Sequence, residues 1–292
     1  MIERYLDFMI NVRGCSVNTA ETYRSSLSCF AQFCRIRKQN PSWSSVDVGD
    51  IVSYVYYMRS RGLSARSVNV FLAASVSFFG YLCRFHGLAK NPAVMVDKVK
   101  EPKRLPKVIE QSVFDEFFSF FSNPSDMAFM KHSFYVSICI MYYAGLRASE
   151  VLTLSWMNIK DRHMRIIGKG NKERIVPICD ELQLVLDEWY DRQLGFLGEK
   201  PALVISNEDG SAVSGSFFRR MVKNVLMSCG CPYELAHPHA LRHSFATRMA
   251  SLGLSLLSLQ KILGHSSINT TQVYVNLADS FASSEFFNLT SI

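Results

Sequence analysis

A short segment rich in basic residues and proline divides this chain and limits the folds open to it. Residues 97–107 hold five lysines or arginines and two prolines in eleven positions. Proline lacks a backbone N–H and restricts φ, so this composition is typical of a linker rather than of a helix or strand interior. With 292 residues to accommodate, we predict one domain over residues 1–92, a linker over 93–107 and a second domain over 108–292.

Charge is spread unevenly between the two parts of the chain. Residues 1–107 carry 16 basic and 7 acidic residues, whereas residues 108–292 carry 16 and 18. A basic N-terminal third indicates a polyanionic partner, either nucleic acid or an acidic membrane surface, although a solvated surface would have the same composition. The longest nearly apolar stretch, residues 134–146, is shorter than the ~20 residues of a membrane span, so we expect no membrane segment.

The apolar spacing predicts a helical bundle in the N-terminal domain. Its four helices are expected at residues 2–13, 18–37, 50–61 and 65–85, with Asn18 and Ser64 as N-caps. Near the middle of the second domain the helical spacing of apolar residues stops. There, residues 163–167 and 173–178 are β-rich and flank a five-residue basic turn, as in a hairpin. A short strand is also expected at residues 203–205. The remaining segments have helical spacing: 111–121, 127–143, 151–154, 180–193, 214–228, 239–252, 255–263 and 270–275.

Several polar residues in the second domain are suited to phosphate chemistry, although each alone is more often an ordinary surface or core residue. His239 and Arg242 are three apart and share a helix face. The histidine can transfer a proton near neutral pH, and the arginine can bind phosphate oxygens with two N–H groups. Tyr274 has a phenol that becomes a nucleophile only beside a base and cations. His243 is expected to pack in the core.

Two further candidates for phosphate chemistry lie earlier in the chain than His239. Arg147 follows a glycine at a turn between helices, and Glu150 is placed three residues later to orient it. Lys169 lies between two glycines at the hairpin tip, where its ammonium group can reach away from the body of the domain. We predict no metal site, because the eight cysteines contain no C-x-x-C pair and no carboxylate cluster is evident.

Taken together, these motifs resemble the tyrosine recombinase (phage-integrase-like) family, most closely its compact Xer-type members. The matching segments, in family order, are Ala144–Glu150, Ile167–Pro177, His239–Thr247, Leu263–Ser267 and Thr270–Tyr274. The resemblance implies a mainly α-helical protein with a small β-sheet, built as a two-domain C-shaped DNA clamp with an N-terminal core-binding domain and a catalytic domain. It also implies a cytoplasmic, nucleoid-associated protein of a bacterium or phage.

The resemblance further implies a metal-independent and cofactor-independent reaction on DNA. Tyr274 would be the nucleophile that forms a 3′-phosphotyrosyl intermediate, with Arg147 and Arg242 on the phosphate. Lys169 would be the acid for the leaving group, His239 the acid/base group and His265 a hydrogen-bond donor. Contacts to the DNA are implied for residues of the bundle, linker and hairpin turn, namely Ser64, Arg66, Lys103, Arg104 and Lys172.

The implied partner is double-stranded DNA with inverted half-sites. One chain has one nucleophile, whereas recombination cuts four strands, so a homo- or hetero-tetramer on two DNA sites is expected. An accessory activating or directionality protein is another expected partner. The C-terminal tail, residues 280–292, either docks on a neighbouring protomer or packs on its own domain.

Three alternatives stay open from sequence. A type IB topoisomerase-like enzyme would use a similar set of residues to nick and close one duplex. A non-catalytic DNA-binding factor would have kept the fold without the reaction. Among recombinases, a mobile-element integrase or excisionase and a chromosome-dimer resolvase have the same site residues.

Overall fold

The chain forms two compact units, Met1–Lys103 and Arg104–Ile292. The computed structural model describes residues 1–38, 42–101, 107–122, 127–168, 173–265, 271, 272 and 274. Four of the predicted site residues lie outside these ranges: Lys103, Arg104, Lys169 and Lys172. The predicted C-terminal tail, residues 280–292, also lies outside them.

Over residues 1–38 and 42–101, four α-helices build the N-terminal unit, as predicted. They are α1 (Ile2–Asn11), α2 (Val17–Arg37), α3 (Val48–Ser60) and α4 (Ala65–Phe85). Each of the last three begins at a side-chain cap that satisfies a backbone N–H of the first turn: Ser16, Asp47 and Ser64. The predicted cap at Asn18 is wrong, because the Ser16 hydroxyl accepts from the Thr19 backbone N–H and starts α2 two residues earlier.

Helix α4 is the central helix of this unit. Among the described helices it is the one long and apolar enough, by composition, to cross a membrane. Most of its apolar side chains instead pack in the core of the unit, where Phe71, Phe78 and Phe79 are almost fully buried. Phe71 packs against Tyr54 of α3, and Phe78 against Tyr5 of α1. These contacts are those of the core helix of a bundle.

The second unit consists of helices around a small sheet. Within the described residues its helices are α5 (Gln111–Phe120), α6 (Phe129–Ala144), α7 (Ala148–Leu152), α8 (Asp180–Leu197), α9 (Gly215–Ser228), α10 (Pro238–Ser251) and α11 (Leu256–Leu263). Helix α6 is buried almost all round and packs against α8, α9 and α10. It therefore forms the centre of this unit.

The sheet contains the predicted hairpin. Its strands are β1 (Ile159–Lys160), β2 (His163–Ile167) and β3 (Glu173–Pro177), antiparallel in that order. Ile166 pairs with Arg174, and Met164 with Val176. Because side chains alternate along a strand, these four residues share one face of the hairpin, and the three apolar ones are buried.

The predicted strand at residues 203–205 is wrong. Leu203 makes a single bridge with Ser155, and the Val204 N–H donates to the Leu154 carbonyl. Val204 and Ile205 are apolar because they are fully buried in the core of the unit, and not because they belong to a sheet. A short apolar run has the same composition in either case.

Candidate active site

The centre of the site is Arg242, which lies on α10 and is only 1% exposed. One terminal nitrogen donates to the Gly145 carbonyl at 2.8 Å, and the other donates to the Leu263 carbonyl. These carbonyls belong to the C-terminal ends of α6 and α11, where backbone acceptors have no partner within their helix. The negative ends of two helix dipoles thus compensate a buried guanidinium group.

Arg242 stays charged at neutral pH in spite of its burial. Burial lowers its pKa to about 9, with a further contribution from the nearby Arg147 guanidinium. A group with this pKa is protonated at neutral pH, so the site presents two positive charges close together. Such a pair is suited to binding the oxygens of a phosphate group.

Arg147 lies at the turn between α6 and α7 and is held by Glu150. Its Nη1 donates to Glu150 Oε1 at 2.8 Å, and its backbone N–H donates to Oε2 at 2.8 Å. Its other terminal nitrogen lies 3.5 Å from the Gly264 carbonyl, beyond the end of α11. The side chain remains partly exposed, so its orientation is fixed while part of the guanidinium can still meet a ligand.

Arg174 is a residue of the site that we did not predict. It donates through both terminal nitrogens to Glu150, at 2.8 and 2.7 Å, and through Nε to the Ile262 carbonyl at 2.7 Å. Its position on the apolar face of β3 was the available signal, because an arginine on an inward face requires a buried partner. Arg174 thereby joins the hairpin to the turn that carries Arg147 and to the end of α11.

Glu150 accepts hydrogen bonds from two arginine side chains. Burial alone would raise its pKa, but the hydrogen bonds from Arg174 and from the Arg147 backbone outweigh that effect and lower the pKa to about 2. The carboxylate is therefore ionised throughout the physiological range. It balances the charge of Arg174 and keeps the side chain of Arg147 in place.

Tyr274 is buried beside two histidines. Its Oη lies 2.6 Å from His243 Nδ1, and its ring lies 6.3 Å from the ring of His265. His265 Nδ1 is 2.9 Å from the Thr271 hydroxyl. Burial raises the pKa of Tyr274, and the charges of Arg242 and Arg147 act in the opposite direction. The phenol, two histidines and both arginines therefore lie close together.

The two histidines of α10 differ from our expectation. The sequence predicts that His243 packs in the core and that His239 is the acid/base group at Tyr274. The structure instead places His243 on the Tyr274 oxygen, and the His239 ring packs edge-on against His243 at 4.7 Å between centroids. The physical reason is local, because residues four apart on a helix are neighbours and both rings reach the same side of α10.

Ser64 and Arg66, predicted to contact DNA, lie at the start of α4 in the N-terminal unit. Ser64 is the N-cap of that helix and accepts from the Ser67 backbone N–H. Both residues are exposed. They are accessible to a phosphate backbone, but the cap alone is sufficient to explain Ser64.

Gly145 provides one test of how the site is built. It ends α6 at φ +65°, and a Cβ there would overlap the Phe245 ring of α10. Gly198 ends α8 at φ +73° with no atom within 4 Å of such a Cβ. Both alanine variants bear about 1–2 kcal/mol of left-handed backbone strain, and Gly145→Ala adds about 1–3 kcal/mol of overpacking.

We therefore expect Gly145→Ala to reduce the free energy of unfolding more than Gly198→Ala does, measured by urea denaturation. It should also weaken DNA cleavage, since it displaces the carbonyl that holds Arg242. Equal losses of stability in the two variants would contradict the close packing of α6 on α10.

Comparison with known proteins identifies the family. A model of the phage integrase family matches residues 107–280, and a model of the phage integrase N-terminal SAM-like domain matches residues 2–86. Tyrosine recombinase XerD of Listeria monocytogenes serotype 4b (strain F2365) is 30% identical over 285 residues, which cover 95% of this chain and 94% of the relative.

Solved structures share the fold at lower identity. XerH recombinase bound to palindromic difH substrate, in a post-cleavage complex, has a TM-score of 0.77 at 20% identity and covers 98% of this chain and 84% of its own. A lambda integrase tetramer bound to a Holliday junction has a TM-score of 0.70 at 16% identity, over 94% and 75%. The predictions of a mainly α-helical fold with a small β-sheet and of site-specific DNA recombination are confirmed: the chain belongs to the phage integrase family and is a tyrosine-type site-specific DNA recombinase.

Proposed function

We propose that Tyr274 is the nucleophile of the recombination reaction. Its oxygen attacks a DNA phosphodiester, a bond forms between that oxygen and phosphorus, and the bond to the 5′-oxygen breaks. The products are a 3′-phosphotyrosyl link and a free 5′-hydroxyl group. The observation that carries this proposal is the buried phenol with its oxygen on His243 and with Arg147 and Arg242 near enough that their charges oppose the effect of burial on its pKa.

The two arginines are the proposed electrostatic catalysts. Negative charge builds on the non-bridging oxygens as phosphorus becomes five-coordinate, and fixed positive groups stabilise that state more than the ground state. By comparison with other preorganised donors, each arginine would contribute about 3–4 kcal/mol. Arg242 uses two N–H groups on carbonyls, and a guanidinium group has five, so donors remain for the phosphate.

Protons move at both ends of the reaction. His239, whose ring packs against that of His243, is the proposed acid/base group toward Tyr274, and Lys169 is the proposed acid that gives a proton to the leaving 5′-oxygen. His265 is proposed to bind a phosphate oxygen. We assign the Thr271 hydroxyl as the donor to His265 Nδ1, which places the ring proton on Nε2, the form that can donate to the phosphate. Attack by the 5′-hydroxyl of the partner strand then reverses the chemistry and rejoins the DNA.

The DNA complex follows from this reaction. Strand exchange between two duplexes needs four cleavages and each chain supplies one nucleophile, so we propose a tetramer on two sites, each made of inverted half-sites. The lambda integrase relative, solved as a tetramer on a Holliday junction, supports that assembly. Ser64, Arg66, Lys103, Arg104 and Lys172 are proposed DNA contacts, and binding should weaken steeply with salt. The proposed compartment is the bacterial cytoplasm.

Covalent capture of DNA tests the proposal. Purified protein is mixed with a library of nicked duplexes of random sequence, in which the cleaved strand loses a short 5′-hydroxyl fragment and religation is blocked. Adducts that survive denaturing detergent are then recovered. Sequencing of the bound DNA gives the half-site, and mass spectrometry of the digested adduct gives the modified residue. We expect a peptide modified at Tyr274, joined to a 3′-phosphate; an adduct on another residue, or to a 5′-phosphate, would contradict the mechanism.

A further inference from the structure

His243 makes a direct contact with the oxygen that the proposed mechanism uses. The 2.6 Å separation between His243 Nδ1 and Tyr274 Oη is that of a short hydrogen bond. Tyr274 is 3% exposed, so water has little access to replace the contact. His243 directly follows Arg242 on α10, and the contact therefore ties the phenol to the helix that carries a phosphate-binding arginine.

The direction of this hydrogen bond follows from the surroundings of the two groups. Burial, together with the neighbouring His239 and Arg242, lowers the pKa of His243 to about 4. Burial raises the pKa of Tyr274. At neutral pH the imidazole is therefore uncharged and the phenol keeps its proton. Either neutral group could donate, but a phenol O–H is the more acidic donor and an imidazole nitrogen the stronger acceptor. We therefore assign the Tyr274 O–H as donor, His243 Nδ1 as acceptor and the ring proton to Nε2.

The contact has a mechanical consequence for the phenol. A tyrosine side chain turns about two bonds, so its oxygen can sweep over several ångströms unless its ring and its oxygen are both held. The ring packs with Phe245, Ala246, Leu259 and Leu263, and His243 holds the oxygen. Reactions of bound groups lose large factors in rate when the attacking atom is misplaced by about 1 Å.

We propose that His243 is a positioning residue for the nucleophile, holding the Tyr274 oxygen beside Arg242 by accepting its hydrogen bond at Nδ1. This inference rests on the proposed role of Tyr274. It assigns no proton transfer to His243, and it gives a role to a histidine outside the set that the sequence pattern singled out.

Two variants separate positioning from packing and from proton transfer. Asparagine at position 243 keeps an acceptor oxygen near the place of Nδ1 but cannot act as a base, whereas leucine keeps the volume and removes the acceptor. We expect His243→Leu to lower the single-turnover cleavage rate of a nicked duplex about tenfold, the worth of one hydrogen bond. His243→Asn should stay within about threefold of wild type, and both should bind DNA equally well. A wild-type rate in His243→Leu would overturn the proposal, as would an asparagine variant as slow as the leucine variant.

A measurement without DNA keeps this test separate from the proposed function. In protein labelled with ¹⁵N-histidine, the His243 Nδ1 resonance is assigned by its loss in His243→Leu. We expect Tyr274→Phe to move that resonance toward the position of a free acceptor nitrogen, and Tyr54→Phe, which alters a buried tyrosine of the N-terminal unit, to leave it in place. An unmoved resonance in Tyr274→Phe would overturn the inference. Failure of covalent capture by the wild-type protein would instead overturn the proposed nucleophile.

Discussion

Replacing Tyr274 with phenylalanine should abolish covalent capture of DNA while leaving DNA binding unchanged. The variant lacks the proposed attacking oxygen, and no other atom of the ring can form the bond to phosphorus. The aromatic ring itself is kept, and its packing against α10 and α11 is apolar, so the fold should tolerate the change. The measurements are the detergent-resistant adduct on a nicked duplex and, in parallel, gel retardation of the same duplex.

A second buried tyrosine supplies the control for this experiment. Tyr142, on α6, is mostly buried and has its hydroxyl 3.4 Å from Gln111 Nε2. Tyr142→Phe removes a phenol oxygen from the same unit and should capture DNA as the wild type does. An adduct that persisted in Tyr274→Phe would place the nucleophile on another residue, whereas loss of capture in both variants would indicate general damage to the unit.

Replacing Glu150 with glutamine should lower the free energy of unfolding by about 3–5 kcal/mol, the usual cost of removing one partner from a buried ion pair. Glutamine has nearly the same shape, but it leaves the 9% exposed Arg174 side chain without its counter-charge. Urea denaturation should be followed by tryptophan fluorescence in a Trp43→Phe background. The remaining tryptophans, Trp156 and Trp189, both report on the catalytic unit.

The matched control is Glu173→Gln on the same hairpin. Glu173 pairs with Arg165 at 3.0 Å, and both side chains are more than half exposed. Exposed pairs contribute at most about 1 kcal/mol, so this variant should stay close to wild type. If Glu150→Gln lost as little stability as Glu173→Gln, the carboxylate of Glu150 would not be needed to hold the hairpin, the turn before α7 and the end of α11 together.

The contribution of Glu150 to the free energy of unfolding should also depend on pH. Its pKa is lowered on folding from 4.5 to about 2, so the folded protein holds the ionised form more strongly than the unfolded chain does. The resulting stabilisation, about 3 kcal/mol, is fully present above pH 4.5 and is lost as the pH falls toward 2. The difference in stability between wild type and Glu150→Gln should therefore shrink over this interval, and a constant difference would contradict the assignment.

Sequence patterns among neighbouring residues were sufficient to predict much of the fold. Helix caps such as Ser64, the glycine at the end of α6 and the alternation in the hairpin are properties of neighbouring residues. Arg147 and Glu150 could be paired because a spacing of three places them on one turn. The error at Asn18 has a local cause too. Ser16 and Asn18 are both good N-cap residues and lie two positions apart, and the helix begins at Ser16.

The missed parts of the site depend on contacts between distant segments. Arg174 lies 24 residues from Glu150 and 88 from Ile262, and no spacing rule connects them. His243 and His239 lie on the same helix at a spacing of four, so the sequence offers two histidines for one phenol. Which of them meets Tyr274 depends on packing in three dimensions, which no spacing rule gives.

The placement of Arg242 between two helix ends has a consequence for the role of ions in the reaction. Its charge is balanced by two backbone carbonyls and by the Glu150 carboxylate at 3.8 Å, all groups of the protein itself, and not by exchangeable anions from solution. Dissolved salt screens exposed charges well and buried ones poorly. Ionic strength should therefore govern how often the duplex is captured, while the cleavage rate of DNA already bound should remain nearly constant across the same salt range.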